Sequence, residues 1–190
     1  MQAIELLHNR VSCPVLVEPG PTDTQLESIF QAAMRAPDHG AIRPWRFLTV
    51  SGEARNNLGE LFLKASLQDN PDLPEDRQDK VRNMPMRSPT LIVVIASTQE
   101  HPKVPVLEQE VAAGCAAQNI LHAAHAMGLG AMWRTGDMAY HSVVREGLGL
   151  AANETLIGYI YLGTPKKLKK VPLHNTEDYV QTWTGEKRDG

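Results

Sequence analysis

Residues 90–97 read Thr90-Leu-Ile-Val-Val-Ile-Ala-Ser97, TLIVVIAS. The run is almost wholly apolar and rich in β-branched side chains. It lacks the polar alternation of a half-exposed strand, so it predicts a central strand covered on both faces. Such a strand needs helices packed on either side of its sheet.

Helices are legible on both flanks. Downstream, residues 106–127 form the longest helical stretch, with the alanine-rich segment VAAGCAAQNILHAAHAM and Gly128 as its stop. Its small side chains permit close approach of a neighbouring backbone. Upstream, Glu53 to Leu67 repeats Leu58, Leu61, Phe62 and Leu67 at helical spacing. Thr22 and Gln25 form a capping box ahead of Leu26, Ile29, Phe30, Ala33 and Met34. Pro37 disfavours helical geometry at Ala36 and closes that helix. Residues 3–10 form a first short helix with Ile4, Leu6 and Leu7 on one face. Short helices are also expected at 76–84 and 140–147.

Further strands are expected at Trp45–Val50, Ala131–Thr135 and Leu156–Leu162 (LIGYIYL). Helices separate the strands, so a mixed or parallel sheet with helical covers is predicted. Residues 38–44 (DHGAIRP) and 69–75 read as loops. No internal repeat or low-complexity linker divides the chain, and residues 1–190 are read as one domain.

Composition agrees. The chain has 190 residues, 42 % hydrophobic and 22 % charged, with a formal net charge of −3. That balance excludes a large basic surface for nucleic acid. Aromatic residues are only 5 %, so the core must be aliphatic and small. The two cysteines, Cys13 and Cys115, form no disulfide framework and no zinc signature, which predicts a reduced, cytoplasmic protein. The longest apolar run is far short of a membrane span, and residues 1–10 do not read as a signal peptide.

Motif searches are mostly negative. GxGxxG after a strand, GxxxxGK[ST], GxSxG and HExxH are all absent. His122 and His125 share a helix, but no Glu-x-x-His pair accompanies them, so no metal site is assigned. Nothing around Ser12, Cys13 or Ser88 marks a nucleophile, and no residue is assigned a catalytic role. A distributed pattern is more informative. Arg10-Val11-Ser12 places a cation and a hydroxyl where the chain leaves a helix, which suits a phosphate. Arg35 and His39 flank Pro37 at the end of a second helix. Trp133-Arg134-Thr135 ends a strand with an aromatic ring, a cation and a hydroxyl.

Together these residues resemble the nitroreductase family of FMN-dependent flavoproteins. The resemblance runs through Met34–His39, Pro44-Trp45, Arg87-Ser88-Pro89, Lys103–Pro105, Glu108–Glu110, Trp133–Gly136, Val143–Glu146 and Tyr161–Pro165. It implies an α+β fold with a central mixed sheet flanked by helices. It also implies a homodimer with FMN at the subunit interface, and residues 106–127 in the dimer core. By position, Arg10, Val11, Ser12, Arg35, His39, Trp133, Arg134 and Thr135 would bind FMN, with Arg35 and His39 serving the other chain's site. Lys166 or Lys167 would complete the phosphate contacts. Ala123, Ala124, His125, Ala126, Met127 and Gly128 match a stretch associated with the nicotinamide cofactor. The implied reaction is ping-pong reduction of nitroaromatics, quinones or similar small electrophiles by NADH or NADPH. A non-catalytic FMN-binding or sensing protein on the same fold is the alternative. Val11 stands where relatives commonly carry an arginine, which removes one charge from the phosphate grip.

Overall fold

The computed structural model describes residues 2–167 and 169–185. The single domain expected over 1–190 therefore includes positions 1, 168 and 186–190, which lie outside the described residues.

The order of elements is α1 (Ala3–Asn9), β1 (Leu16–Val17), α2 (Asp23–Ala33), β2 (Trp45–Ser51), α3 (Ala54–Asp69), α4 (Glu75–Arg82), β3 (Thr90–Ser97), α5 (Val106–Ala126), β4 (Gly130–Arg134), α6 (Ser142–Gly147) and β5 (Glu154–Pro165). β3 coincides with the quoted run, and every residue from Thr90 to Ala96 is buried. It pairs with β2 on one side and β5 on the other. β5 carries β4 on its far side, and β1 joins its C-terminal end.

Every strand pairing among the described residues is antiparallel, which corrects the mixed or parallel sheet expected from the helical connections. Two physical reasons account for this. First, α3 and α4 pack against each other as a helical pair. The chain that leaves β2 at Ser51 thus returns beside it at Thr90. Second, β3 and β4 do run parallel across α5, but β5 inserts between them and is antiparallel to both. The two-residue β1 was not foreseen; its Leu16-Val17 lies in a Pro-rich stretch too short to show alternation.

The two faces of β3 feed two cores. Ile92, Val94 and Ala96 join Ile29 and Ala33 of α2 and the alanines of α5. Leu91, Val93 and Ile95 join Leu58 and Phe62 of α3, Val144 of α6, and Tyr159 and Tyr161 of β5. Ala112, Ala113, Ala116, Ala117 and Ala124 are thus buried inside this chain. These small residues let α5 pack closely on the chain's own sheet and on α2. The outward side of α5 instead exposes Val106, Leu107 and Val111.

Local signals read in the sequence set the element ends. The Thr22 hydroxyl accepts from Gln25 N at 3.2 Å, and Gln25 Oε1 accepts from Thr22 N at 2.9 Å. Thr22→Ala is expected to cost about 1 kcal/mol, the usual worth of such a cap, measurable as a shift in urea midpoint. α5 ends at Gly128 with φ 77°. Gly128 N donates to His125 O, and Leu129 N to Ala124 O, satisfying carbonyls that the helix leaves open.

Candidate functional site

Three concavities collect most of the candidate FMN-binding residues. The first forms where the chain leaves α1. Arg10 turns to extended geometry (φ −64°, ψ 127°), and Cys13 N donates to Ala131 O at 2.8 Å, so this segment runs beside β4. Arg10, Val11 and Ser12 line a cleft of about 570 Å³ together with Lys169, Lys170 and His174. Among the described residues no carboxylate pairs with Arg10, Lys169 or Lys170. Three cations and a hydroxyl without a counter-charge form a ready anion site.

The lysines that join Arg10 are Lys169 and Lys170 rather than Lys166 or Lys167. Lys166 N donates to Val15 O, extending the β1–β5 pairing, and Lys167 lines a neighbouring hollow with Pro14 and Val15. Only the path of the backbone after Pro165 decides which member of a lysine run faces the cleft.

The second concavity, about 450 Å³, lies at the end of β4. Trp133, Arg134 and Thr135 line it with Phe62, Tyr159 and Tyr161. Alternation along β4 divides the roles. Trp133 packs with the α5-side core, where its Nε1 donates to Ile157 O at 3.2 Å. A Cβ on Gly158 would overlap that indole and the Arg134 carbonyl, so glycine there lets Trp133 lie flat on β5. Arg134 lies over the Tyr161 ring at 5.6 Å from its centroid, a cation–π contact. Its Nη2 donates to Pro14 O at 3.4 Å, which links this cavity to the Arg10 segment. Its Nε is buried without a partner, an orphan donor of the kind a ligand satisfies. Burial pushes the Tyr159 and Tyr161 phenols above their ordinary range.

His39 lies elsewhere in the chain. Its Nδ1 is 2.7 Å from Glu108 Oε2, at a shallower cleft lined also by Pro37, Leu107 and Cys115. Positive φ at Gly40, Ala41 and Arg43, with Asp38 Oδ2 accepting from Arg43 N, shapes this loop. Arg35 is exposed at the end of α2 and lines none of these concavities. One chain therefore brings Arg10–Ser12 and Trp133–Thr135 to adjoining places, and leaves Arg35 and His39 on a separate surface.

Residues 123–128 form the last turn of α5 and its stop, and none of them lines these cavities. Ala124 is in the core, and His125 Nε2 is buried without a partner. His122 has its pKa lowered by burial, by Arg10 and by His125, and its Nε2 lies 2.7 Å from Gln118 Nε2. Among the described residues no three His, Cys, Asp or Glu side chains gather as a metal site would need. No described helix is long and apolar enough to cross a membrane. Sequence reading did not assign Phe62, Met84, Arg87, Tyr159 or Tyr161 to the site. The alternating Tyr159 and Tyr161 were the available signal, since both point to one face of β5.

The described residues thus form an antiparallel α+β domain with a basic cleft beside an arginine- and aromatic-lined cavity. The family model described as "Nitroreductase family" matches residues 9–164, and the chain belongs to that family. It is 42 % identical over 166 residues to the "Putative NAD(P)H nitroreductase YdjA" of Escherichia coli K12, covering 87 % of this chain and 90 % of that one. The fold superposes on a nitroreductase-like family protein of Bacillus cereus with a TM-score of 0.81, at 21 % identity and 97 % coverage of both chains. It superposes on the FMN-dependent nitroreductase NfnB of Mycobacterium smegmatis, solved in complex with NADPH, with a TM-score of 0.75. That match has 17 % identity and covers 95 % of this chain and 97 % of NfnB.

Proposed function

We propose that the protein is an FMN-dependent oxidoreductase that uses NADH or NADPH to reduce nitroaromatic, quinone or similar small electrophilic acceptors by a ping-pong, two-electron mechanism. The observation that carries this reading is the unpaired cation set Arg10, Lys169 and Lys170 beside Ser12. It offers the positive charge and the donors that a phosphate dianion needs. The orphan Arg134 Nε in the adjoining aromatic cavity matches a planar ring with acceptor atoms. The residues present therefore fit FMN, with its phosphate in the basic cleft and its ring toward Trp133, Arg134 and Thr135. When bound, FMN supplies the ring that accepts hydride from the nicotinamide and passes electrons on. This chain binds and orients it, with Phe62 and Met132 supplying apolar wall to the cavity.

The reading includes a homodimer with the flavin at the interface. Ile4 and Leu7 on α1, Val106, Leu107 and Val111 on α5, and Leu173 and Trp183 beyond β5 are exposed in the single chain. A second copy covering these residues would bring its own Arg35 and His39 to the site. Cys13 and Cys115 as free thiols suit a reducing compartment, and the reading assigns the protein to the cytoplasm.

The absorbance spectrum of the purified protein, followed by NAD(P)H oxidation with a nitroaromatic, tests the reading. A yellow, FMN-type spectrum with turnover is expected. Flavin without turnover would favour the non-catalytic flavin-binding alternative. A colourless chain that cannot be reconstituted with FMN would overturn both. Size by light scattering should give twice the chain mass.

A further inference from the structure

Arg87 is a cavity residue with no part in the FMN set above. It closes the short turn Pro85–Arg87 ahead of β3 and borders the same cavity as Arg134. Its backbone is held on the C-terminal side. Ser88 Oγ donates to Thr90 O at 2.8 Å, and Arg55 Nη1 donates to Ser88 O at 2.9 Å. Arg87 and Arg134 both lie near enough to the Tyr161 phenol to oppose the upward push that burial gives it. Neither guanidinium pairs with a carboxylate among the described residues. Asp137 borders the same cavity but bonds to neither. Most of the remaining wall is apolar or aromatic, from Phe62, Met84, Met132 and Tyr159, with Thr135 adding a hydroxyl. Two cations in such surroundings repel each other until negative charge lies between them.

We infer that Arg87, acting with Arg134, stabilises the negative charge that a flavin ring in this cavity acquires on reduction, and so raises its reduction potential. This rests on the FMN reading above. The charge follows from the electron count. A hydride from NAD(P)H carries two electrons and one proton, so a neutral ring that takes it up gains one unit of negative charge. Arg87 is exposed in the single chain, so solvent screens it and its effect is smaller than that of a buried cation.

The test is the midpoint potential of FMN-loaded protein, measured by equilibration with a reference dye. R87Q is expected to shift the oxidised-to-reduced equilibrium about tenfold toward the oxidised ring, about 30 mV for a two-electron couple. R87K keeps the charge and is expected to retain most of the potential. FMN stoichiometry and melting temperature confirm that each variant is loaded and folded. An R87Q protein that binds FMN normally at an unchanged potential would overturn the inference. Should R87Q lose its flavin, R87M decides by the same measurement: a tenfold shift toward the oxidised ring supports the inference, and an unchanged potential overturns it. Failure of the FMN reading itself has a different signature, since the wild-type chain would then bind no flavin.

Discussion

Arg10→Ala is expected to weaken FMN binding about tenfold to a hundredfold or more. The lost interaction is a charge-assisted hydrogen bond to phosphate, worth about 1.5–3 kcal/mol, and each 1.4 kcal/mol is about a factor of ten. The effect should show in affinity and leave the fold alone. Arg10 follows α1, a helix with no buried residue, and makes no side-chain bond within the described chain. Lys169 and Lys170 remain in the cleft, so binding weakens without vanishing. Fluorescence titration of the apoprotein with FMN measures the change, and the apoprotein melting temperature serves as the control. Unchanged affinity would remove Arg10 from the phosphate site.

Arg46→Ala is expected to destabilise the fold by about 1.5–3 kcal/mol, the usual worth of hydrogen bonds to a charged group. Glu154 opens β5 with its side chain only 7 % exposed, whereas that of Arg46 on β2 is 34 % exposed. Arg46 Nε and Nη2 each donate to this carboxylate at 2.6 Å, and Ala151 N donates at 2.9 Å. The pair ties β2 to β5 across β3. The exposures make the two halves unequal. Without Arg46 the carboxylate stays buried, whereas without Glu154 the guanidinium can turn to water. Glu154→Ala should therefore cost less, and equal losses in urea denaturation would contradict this account. The pair also sets an acid dependence. Hydrogen bonding from Arg46 lowers the Glu154 pKa from 4.5 to about 2. A depressed carboxylate contributes stability that is complete above about pH 4.5 and is lost as pH falls toward 2. Arg46→Ala should flatten that acid limb.

Much of this was legible in the chain itself. Continuous apolar character marked β3, because a strand covered on both faces has no polar positions to show. The Thr22–Gln25 box and Gly128 fixed helix ends, since caps act within four residues. Sheet direction was not legible. Whether β5 inserts between β3 and β4 depends on contacts far apart in sequence, and the helices between strands read the same in either case. The site divides similarly. Arg10-Val11-Ser12 and Trp133-Arg134-Thr135 were recognisable as segments. The selection of Lys169 and Lys170 over Lys166 and Lys167 was not, because a lysine run carries no periodicity that says which member faces inward. Arg87 was visible only as part of a motif, since its nearness to Arg134 and Tyr161 is a tertiary fact.

The sequence alone determined the elements, their caps, the family resemblance and an aromatic-poor core, all consequences of local pattern and composition. The tertiary structure decided where the small residues of α5 are used and which cations share a cleft. It also decided which side chains surround the cavity beside β4. The reason is range. Propensity and capping act over a few residues, whereas burial and electrostatic pairing depend on distances that only the folded chain sets.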